Sequence, residues 1–154
     1  MNHRYQFVGF FLEGHGYAVP LSQVERVVHA VAVAPLPKAP DIVLGVINFS
    51  GRIIPVVDIR QRFRLPAKET ELYDFLILAR TSRREIAFTA ETMAGVLDCP
   101  EEELIAAEKI VPGLEYLQGV MRLRDGLIFI HDLDQLLSLD EEKSLEKAMK
   151  EMGG

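Results

Sequence analysis

Two places in the sequence carry side chains of the kinds that metal binding or nucleophilic catalysis requires. His131 and Asp132 are adjacent, and imidazole and carboxylate groups are common metal ligands. Metal sites of that sort need further ligands at helical positions, whereas this pair lies in an apolar, strand-like run, so we predict a structural role. Cys99 follows Asp98 and precedes Glu101–Glu103. Because neighbouring carboxylates raise the pKa of a thiol, we predict that Cys99 is a poor nucleophile.

Other patterns of enzyme chemistry are incomplete. The segment Gly14-His15-Gly16 lacks the lysine and hydroxyl residues of a phosphate-binding loop, and no serine lies in a Gly-x-Ser-x-Gly turn. The sequence ends in Gly153-Gly154, as ubiquitin-like sulfur carriers do. A charged helical pattern precedes these glycines where the carriers have a strand, so we expect only a frayed end. We therefore predict a protein without enzyme activity, cofactor or metal ion.

Composition limits the classes of partner and the compartment. The chain has 154 residues and a net charge of −6, and this acidic balance argues against nucleic-acid binding. We expect the one basic cluster, at Arg80, Arg83 and Arg84, to be a solvated turn. One cysteine cannot form an internal disulfide and fits a reducing compartment. Met1–Gln6 has no leader-like pattern, and no apolar run approaches the ~20 residues of a membrane span. We predict a cytoplasmic protein with no direct membrane insertion.

Most of the chain has the pattern of short strands joined by glycine turns, which predicts an all-β fold. Residues 35–40 contain three prolines and form an extended linker. The last segment differs, because its apolar residues recur at helical spacing and Ser138 with Glu141 makes a capping-box pattern. We predict a C-terminal helix over about 138–152.

The clearest pattern in the sequence is an internal repeat. Gly45 and Asp58 are 13 positions apart, as are Gly119 and Asp132, and each pair encloses a turn glycine. Further upstream in each repeat, residues 17–19 correspond to residues 86–88, and Val24 and Val27 correspond to Met93 and Val96. Two hairpins with similar turns could match by chance. The repeat instead predicts two subdomains, over about 5–66 and 72–137, with a groove between them that could bind a partner.

The first repeat resembles the CheW family of chemotaxis coupling proteins. Residues 45–58 have the pattern Gly-Val-Ile-Asn-x-x-Gly-x-Ile-Ile-Pro-Val-Val-Asp, and Gln118-Gly119-Val120 with residues 130–137 is similar in the second repeat. The resemblance covers about residues 5–139. It implies a single domain of two tandem, small, five-stranded β-barrel subdomains, followed here by the C-terminal helix. It also implies a non-catalytic adaptor.

The same resemblance implies two protein partners. Family members bind the regulatory domain of the histidine kinase CheA, and they bind the helical tip of chemoreceptors in the groove between the barrels. We therefore expect recruitment to membrane-bound receptor arrays through these partners. The alternative is a stand-alone regulator of a divergent chemosensory system that binds the kinase but not the receptor.

By position in the family pattern, eight residues are candidates for partner binding. They are Val24, Arg26, Val27, Gly45, Val46, Asn48, Ser50 and Arg52. The valines could equally belong to the core, and Gly45 could simply permit an unusual backbone angle. Family members usually have Arg at position 50 and often Glu at position 26. Since neither is present here, we expect the usual opposite-charge pair to be missing, and we hypothesise a changed partner surface.

Overall fold

The structure, a computed structural model, describes residues 4–69, 71, 74–106, 117–123 and 126–153. Eleven strands and two α-helices lie in these ranges. In chain order the strands are β1 Arg4–Leu12, β2 His15–Pro20, β3 Val24–His29, β4 Val43–Phe49, β5 Arg52–Val57, β6 Phe75–Arg80, β7 Glu85–Ala90, β8 Thr92–Pro100, β9 Leu104–Ala106, β10 Leu117–Leu123 and β11 Gly126–His131. The helices are α1 Ile59–Arg62 and α2 Leu139–Gly153.

The strands form two sheets with equivalent orders. The five-stranded sheet is β3-β6-β7-β5-β4, and the six-stranded sheet is β8-β1-β2-β11-β10-β9. In each sheet a hairpin is followed by a parallel neighbour, β5 beside β7 and β11 beside β2. A single bridge from Ala34 to Val46 takes the place of β9 at the outer edge of β4. The two sheets are therefore two copies of one arrangement.

The sheets do not follow the two predicted halves of the chain. The five-stranded sheet uses residues 24–90, whereas the six-stranded sheet combines residues 4–20 with residues 92–131. The cause is the pairing of the β1–β2 hairpin with β8 and β11, while β6 and β7 join β3 and β5. Each copy thus lends one hairpin to the other sheet, and the two copies are intertwined.

Each sheet has an apolar cluster of its own, and a third cluster joins the two sheets. Ile54 and Leu78 belong to the cluster of the five-stranded sheet, and Ile128 belongs to that of the six-stranded sheet. The shared cluster contains residues of both sheets, among them Phe10 and Phe88, whose ring centroids are 5.5 Å apart. Strands buried on both faces need consecutive apolar residues, which explains why the sequence shows apolar runs rather than strict alternation.

The predicted C-terminal helix is confirmed as α2, which packs Leu145 and Ala148 into the shared cluster. Ser138 and Glu141 form the predicted capping box: Ser138 Oγ accepts from Glu141 N at 3.1 Å, and Glu141 accepts from Ser138 N. Arg84 pairs with Glu142 of α2 at 2.9 Å. The prediction of a solvated turn is therefore wrong for Arg84, because α2 covers that turn.

The mostly β architecture with a C-terminal helix confirms the predicted fold class. Closure of each sheet into a barrel stays a prediction.

Candidate functional site

The β4–β5 hairpin carries three of the predicted site residues, Asn48, Ser50 and Arg52, at or beside its turn. Phe49 pairs with Arg52, so the loop has two residues, Ser50 and Gly51. Both have positive φ, +50° and +84°, which is the pattern of a type I′ turn. Asn48 Oδ1 accepts a hydrogen bond from Gly51 N at 3.0 Å. Asn48 therefore holds the turn, and Ser50 and Arg52 are exposed on either side of Gly51.

Val24 and Val27 lie on β3, an edge of the five-stranded sheet. They pair with Ala79 and Ile77, which both belong to the shared cluster, so the two valines are on the face that turns towards the other sheet. Val24 is half-buried against that cluster, whereas Val27 is 36% exposed. Val24 is thus partly core, and Val27 offers an apolar side chain at the rim of the interface between the sheets.

Gly45 and Val46 are internal. A Cβ on Gly45 would lie 2.2 Å from the carbonyl oxygen of Ala34, so only glycine lets this segment approach β4. Val46 exchanges two backbone hydrogen bonds of 2.8 Å with Ala34, and its side chain is buried in the shared cluster. These two residues therefore determine how the segment at Ala34 packs against the edge of β4.

Four charged residues converge at the hairpin end of the five-stranded sheet, and we call them the charge network. Arg52 lies 2.7 Å from Glu85 and 3.5 Å from Glu25, and Arg80 lies 3.6 Å from Glu85 and 3.9 Å from Glu25. The pair of Glu25 with Arg52 connects β3 to the β4–β5 hairpin. An opposite-charge contact between these elements therefore exists, although positions 26 and 50 do not make it.

Arg26 is placed differently from its neighbour Glu25. Its guanidinium carbon lies 5.6 Å from the centroid of the Phe49 ring, within the range of a cation–π contact. Because β3 and β4 are the two edges of the five-stranded sheet, this contact brings the edges together on one side.

Sequence reasoning missed Phe49, Glu25, Arg80 and Glu85 as parts of this surface. Glu25 and Arg80 could have been suspected from their positions beside Arg26 and in the basic cluster. Their partners depend on β6 and β7 joining β3 in one sheet, and nothing in the local sequence indicates that pairing.

His131, Asp132 and Cys99, whose side-chain types suggested metal binding or catalysis, are buried or held by hydrogen bonds within the fold. His131 is buried, with its ring stacked 4.0 Å from that of Phe63, and Asp132 accepts a hydrogen bond from Asp134 N. Cys99 is buried, and burial together with the carboxylates of nearby Glu103 and Asp98 raises the pKa of its thiol. The structural role of the first pair and the poor nucleophilicity of Cys99 are both consistent with this geometry.

Metal sites and membrane-spanning helices are both absent from the described residues. Within those ranges, no three histidine, cysteine, aspartate or glutamate residues come together as a possible metal site. Neither described helix is long and apolar enough to cross a bilayer.

Comparison with known proteins shows which family the chain belongs to. The sequence model of the CheW-like domain matches residues 6–144. This chain belongs to the CheW-like domain family. It is 27% identical over 149 residues to the chemotaxis protein CheW of Treponema pallidum, an alignment that covers 92% of this chain and 87% of the relative. It is also 27% identical over 133 residues to CheW of Thermotoga maritima, covering 86% and 87% of the two chains.

A solved structure has the same fold. The scaffolding protein TtCheW of Thermoanaerobacter tengcongensis superposes with a TM-score of 0.81 at 21% identity, over 90% of this chain and 96% of that one. Family membership makes the chain a scaffold or adaptor of chemotaxis and not an enzyme, as predicted.

Proposed function

We propose that this protein couples chemoreceptors to the histidine kinase CheA by binding the regulatory domain of the kinase and the cytoplasmic tip of the receptors. A scaffold without catalytic groups transmits a signal by holding two partners in a fixed relation. Two sheets with separate clusters, joined by a shared one, offer rigid and distinct surfaces for two partners. The adaptor would reach the membrane-bound receptor array through these contacts.

The exposure of Val27 on the β3 edge is the observation that carries the receptor part of the proposal. Edge strands are normally protected by charge or by covering elements, and an exposed valine there favours association. An amphipathic helix laid against β3 would cover Val27 with its apolar face. Val24, half-buried beside it, would form the floor of that contact.

The alternative function, a regulator that binds the kinase but not receptors, depended on the changes at positions 26 and 50. Those changes suggested that a charge contact needed for receptor binding was lost. The pair of Glu25 with Arg52 supplies such a contact one and two positions away. This favours the coupling function over the alternative.

The first experiment is calorimetric titration of the purified protein with a CheA regulatory domain and with a receptor-tip fragment from the same cell. We expect binding to both. The variant Val27→Asp should lose at least about tenfold in affinity for the receptor tip, because it places a charge in an apolar contact. Its affinity for the kinase domain should stay unchanged.

The matched control is Leu127→Asp, the same kind of change at an exposed apolar residue of the six-stranded sheet. It should leave receptor-tip binding as in the wild type. Binding of the wild type to the kinase domain alone would support the regulator instead. Equal losses in both variants would refute the role given to β3.

A further inference from the structure

The charge network is neutral within itself. It contains two arginines and two glutamates, each within ion-pair distance of two partners of opposite sign. Arg26 lies beside it without joining it. Among the residues that the structure describes, no carboxylate lies within ion-pair distance of the Arg26 guanidinium, which lies over the ring of Phe49. Arg26 is therefore an exposed positive charge that the described carboxylates do not neutralise.

The contact with Phe49 prepares Arg26 for binding an anion. The guanidinium carbon lies over the Phe49 ring, and in such a cation–π contact the N–H donors that point away from the ring stay available. The ring also restricts a long side chain that would otherwise lose rotamer entropy on binding. A carboxylate could then accept two parallel hydrogen bonds from the fork of donors.

Arg26 and Val27 are consecutive on an edge strand, and both are exposed. They point to opposite faces of the sheet, since Arg26 pairs with Leu78 of the cluster of the five-stranded sheet and Val27 pairs with Ile77 of the shared cluster. A segment that covers the edge of β3 would contact both side chains. It would need an apolar residue against Val27 and an acidic residue near Arg26.

We propose that the receptor-tip segment which covers β3 carries a carboxylate that binds Arg26, on the same helix as the apolar residue that covers Val27. A helix is about 10 Å wide with its side chains, so one that lies along the edge of β3 extends past both faces of the sheet and can present the two groups from adjacent sides. This inference rests on the proposed coupling function and adds the chemistry of the partner. Because the protein has a net charge of −6, it repels an acidic partner overall, and an unpaired arginine at position 26 would favour binding of that partner at β3.

The test is titration of the receptor-tip fragment into the wild type, Arg26→Gln and Arg26→Glu at low and high salt. We expect Arg26→Gln to weaken binding about fivefold, as for a partly exposed ion pair, and Arg26→Glu to weaken it about fiftyfold through repulsion. The differences should shrink at high salt, because salt screens exposed charges. Affinity for the kinase regulatory domain should stay unchanged in all three proteins.

Two further sets of variants separate a specific ion pair from a general charge effect. Arg83 is also exposed, in the β6–β7 turn of the same sheet, so Arg83→Gln and Arg83→Glu change the net charge equally. They should bind the receptor tip like the wild type. Phe49→Leu keeps the charge and removes the ring, so we expect about twofold to threefold weaker binding with the salt dependence of the wild type.

The outcomes distinguish this inference from the function on which it rests. If the wild type binds the receptor tip and the Arg26 variants bind it equally well, the carboxylate contact is wrong and the coupling function stands. If the Arg83 variants weaken binding as much as the Arg26 variants, the effect is net charge and the inference is again wrong. If the wild type does not bind the tip at all, the coupling function itself fails.

Discussion

The two sheets share an arrangement and differ at their edges. Gly45 and Gly119 each follow a register shift, and each lets a backbone carbonyl approach closely, at 2.2 Å and 2.8 Å from the position of a Cβ. Asp58 and Asp132 both cap the short helical turn after the hairpin. The residues that recur in both copies therefore build the fold.

The strands β3 and β8 are equivalent edges of the two sheets. They differ at the two positions that follow Val24 on β3 and Met93 on β8. Glu25 and Arg26 on β3 correspond to Ala94 and Gly95 on β8, so the charge network and the Arg26 contact have no counterpart there. The glycines and aspartates that the repeat preserves are thus explained by backbone geometry. The charged residues that it does not preserve distinguish the β3 edge, where we place the partner, from the β8 edge.

The largest expected effect concerns the two glycines. Gly45→Ala should lower the free energy of unfolding by about 3 kcal/mol, since the new Cβ meets a carbonyl oxygen of the backbone and φ is +155°. Gly119→Ala should cost about 1.5 kcal/mol, because the corresponding approach is less close. Urea unfolding of both variants measures the difference. Equal costs would mean that the two copies are more alike than the structure indicates.

The next comparison is between two polar contacts, each of which connects the segment after one sheet's hairpin to a turn of the other sheet. Arg60 of α1 pairs with Glu13 in the β1–β2 turn at 2.6 Å and with Glu91. At the equivalent place, Asp134 accepts a hydrogen bond from Ser82 N in the β6–β7 turn at 2.7 Å. One copy thus uses a buried cation where the other uses an exposed anion.

Arg60→Met should cost about 2 kcal/mol, less than a fully buried pair because both glutamates are partly exposed. Asp134→Ala should cost about 1 kcal/mol, less than is usual for a hydrogen bond to a charged acceptor, because Asp134 is exposed to solvent. The measurement is again the free energy of unfolding in urea. A cost for Asp134→Ala that equals or exceeds that of Arg60→Met would contradict the comparison.

The Arg60 contact also predicts a pH dependence. The backbone N–H of Glu13 and the Arg60 guanidinium hold the pKa of Glu91 below its ordinary value of 4.5, against the opposing effect of burial. A carboxyl whose pKa is lowered on folding stabilises the protein above its ordinary pKa, and this contribution disappears as the pH falls through the folded value. The stability advantage of the wild type over Glu91→Gln should therefore be full at neutral pH and shrink below about pH 4.5. An advantage that grew on acidification would exclude this explanation.

The aspartates that cap the turns provide a comparison with nearly equal effects. Asp58 accepts from Gln61 N at 3.3 Å, and Asp132 accepts from Asp134 N at 3.0 Å. Each replacement by alanine should cost about 1 kcal/mol, as for other N-caps. Thermal unfolding of the two variants checks this. A difference much larger than their measurement error would show that one aspartate has a second role.

Local signals account for what the sequence could predict. Turn glycines, apolar runs and the Ser138 capping box indicated hairpins and α2, and the spacing of Gly45 and Asp58 indicated the repeat. The exchange of hairpins between the copies could not be predicted, because both copies offer equally apolar strands and the choice between them is made by long-range packing. The charge network was missed for the same reason, since Arg80 reaches Glu25 only after that exchange.

The smallest expected effect compares the two hairpin turns with positive φ at both loop residues. Ser50-Gly51 and Glu13-Gly14 have nearly the same φ values, +50° and +84° against +50° and +76°. Asparagine is favoured at the first position of such turns, so Ser50→Asn should stabilise the protein by about 0.5 kcal/mol. The same change at Glu13 should instead destabilise it, because the Glu13 carboxylate pairs with Arg60. Opposite shifts in melting temperature would confirm that, of these two turns, only Glu13-Gly14 is held by an ion pair. Shifts of the same sign would show that turn geometry outweighs that ion pair.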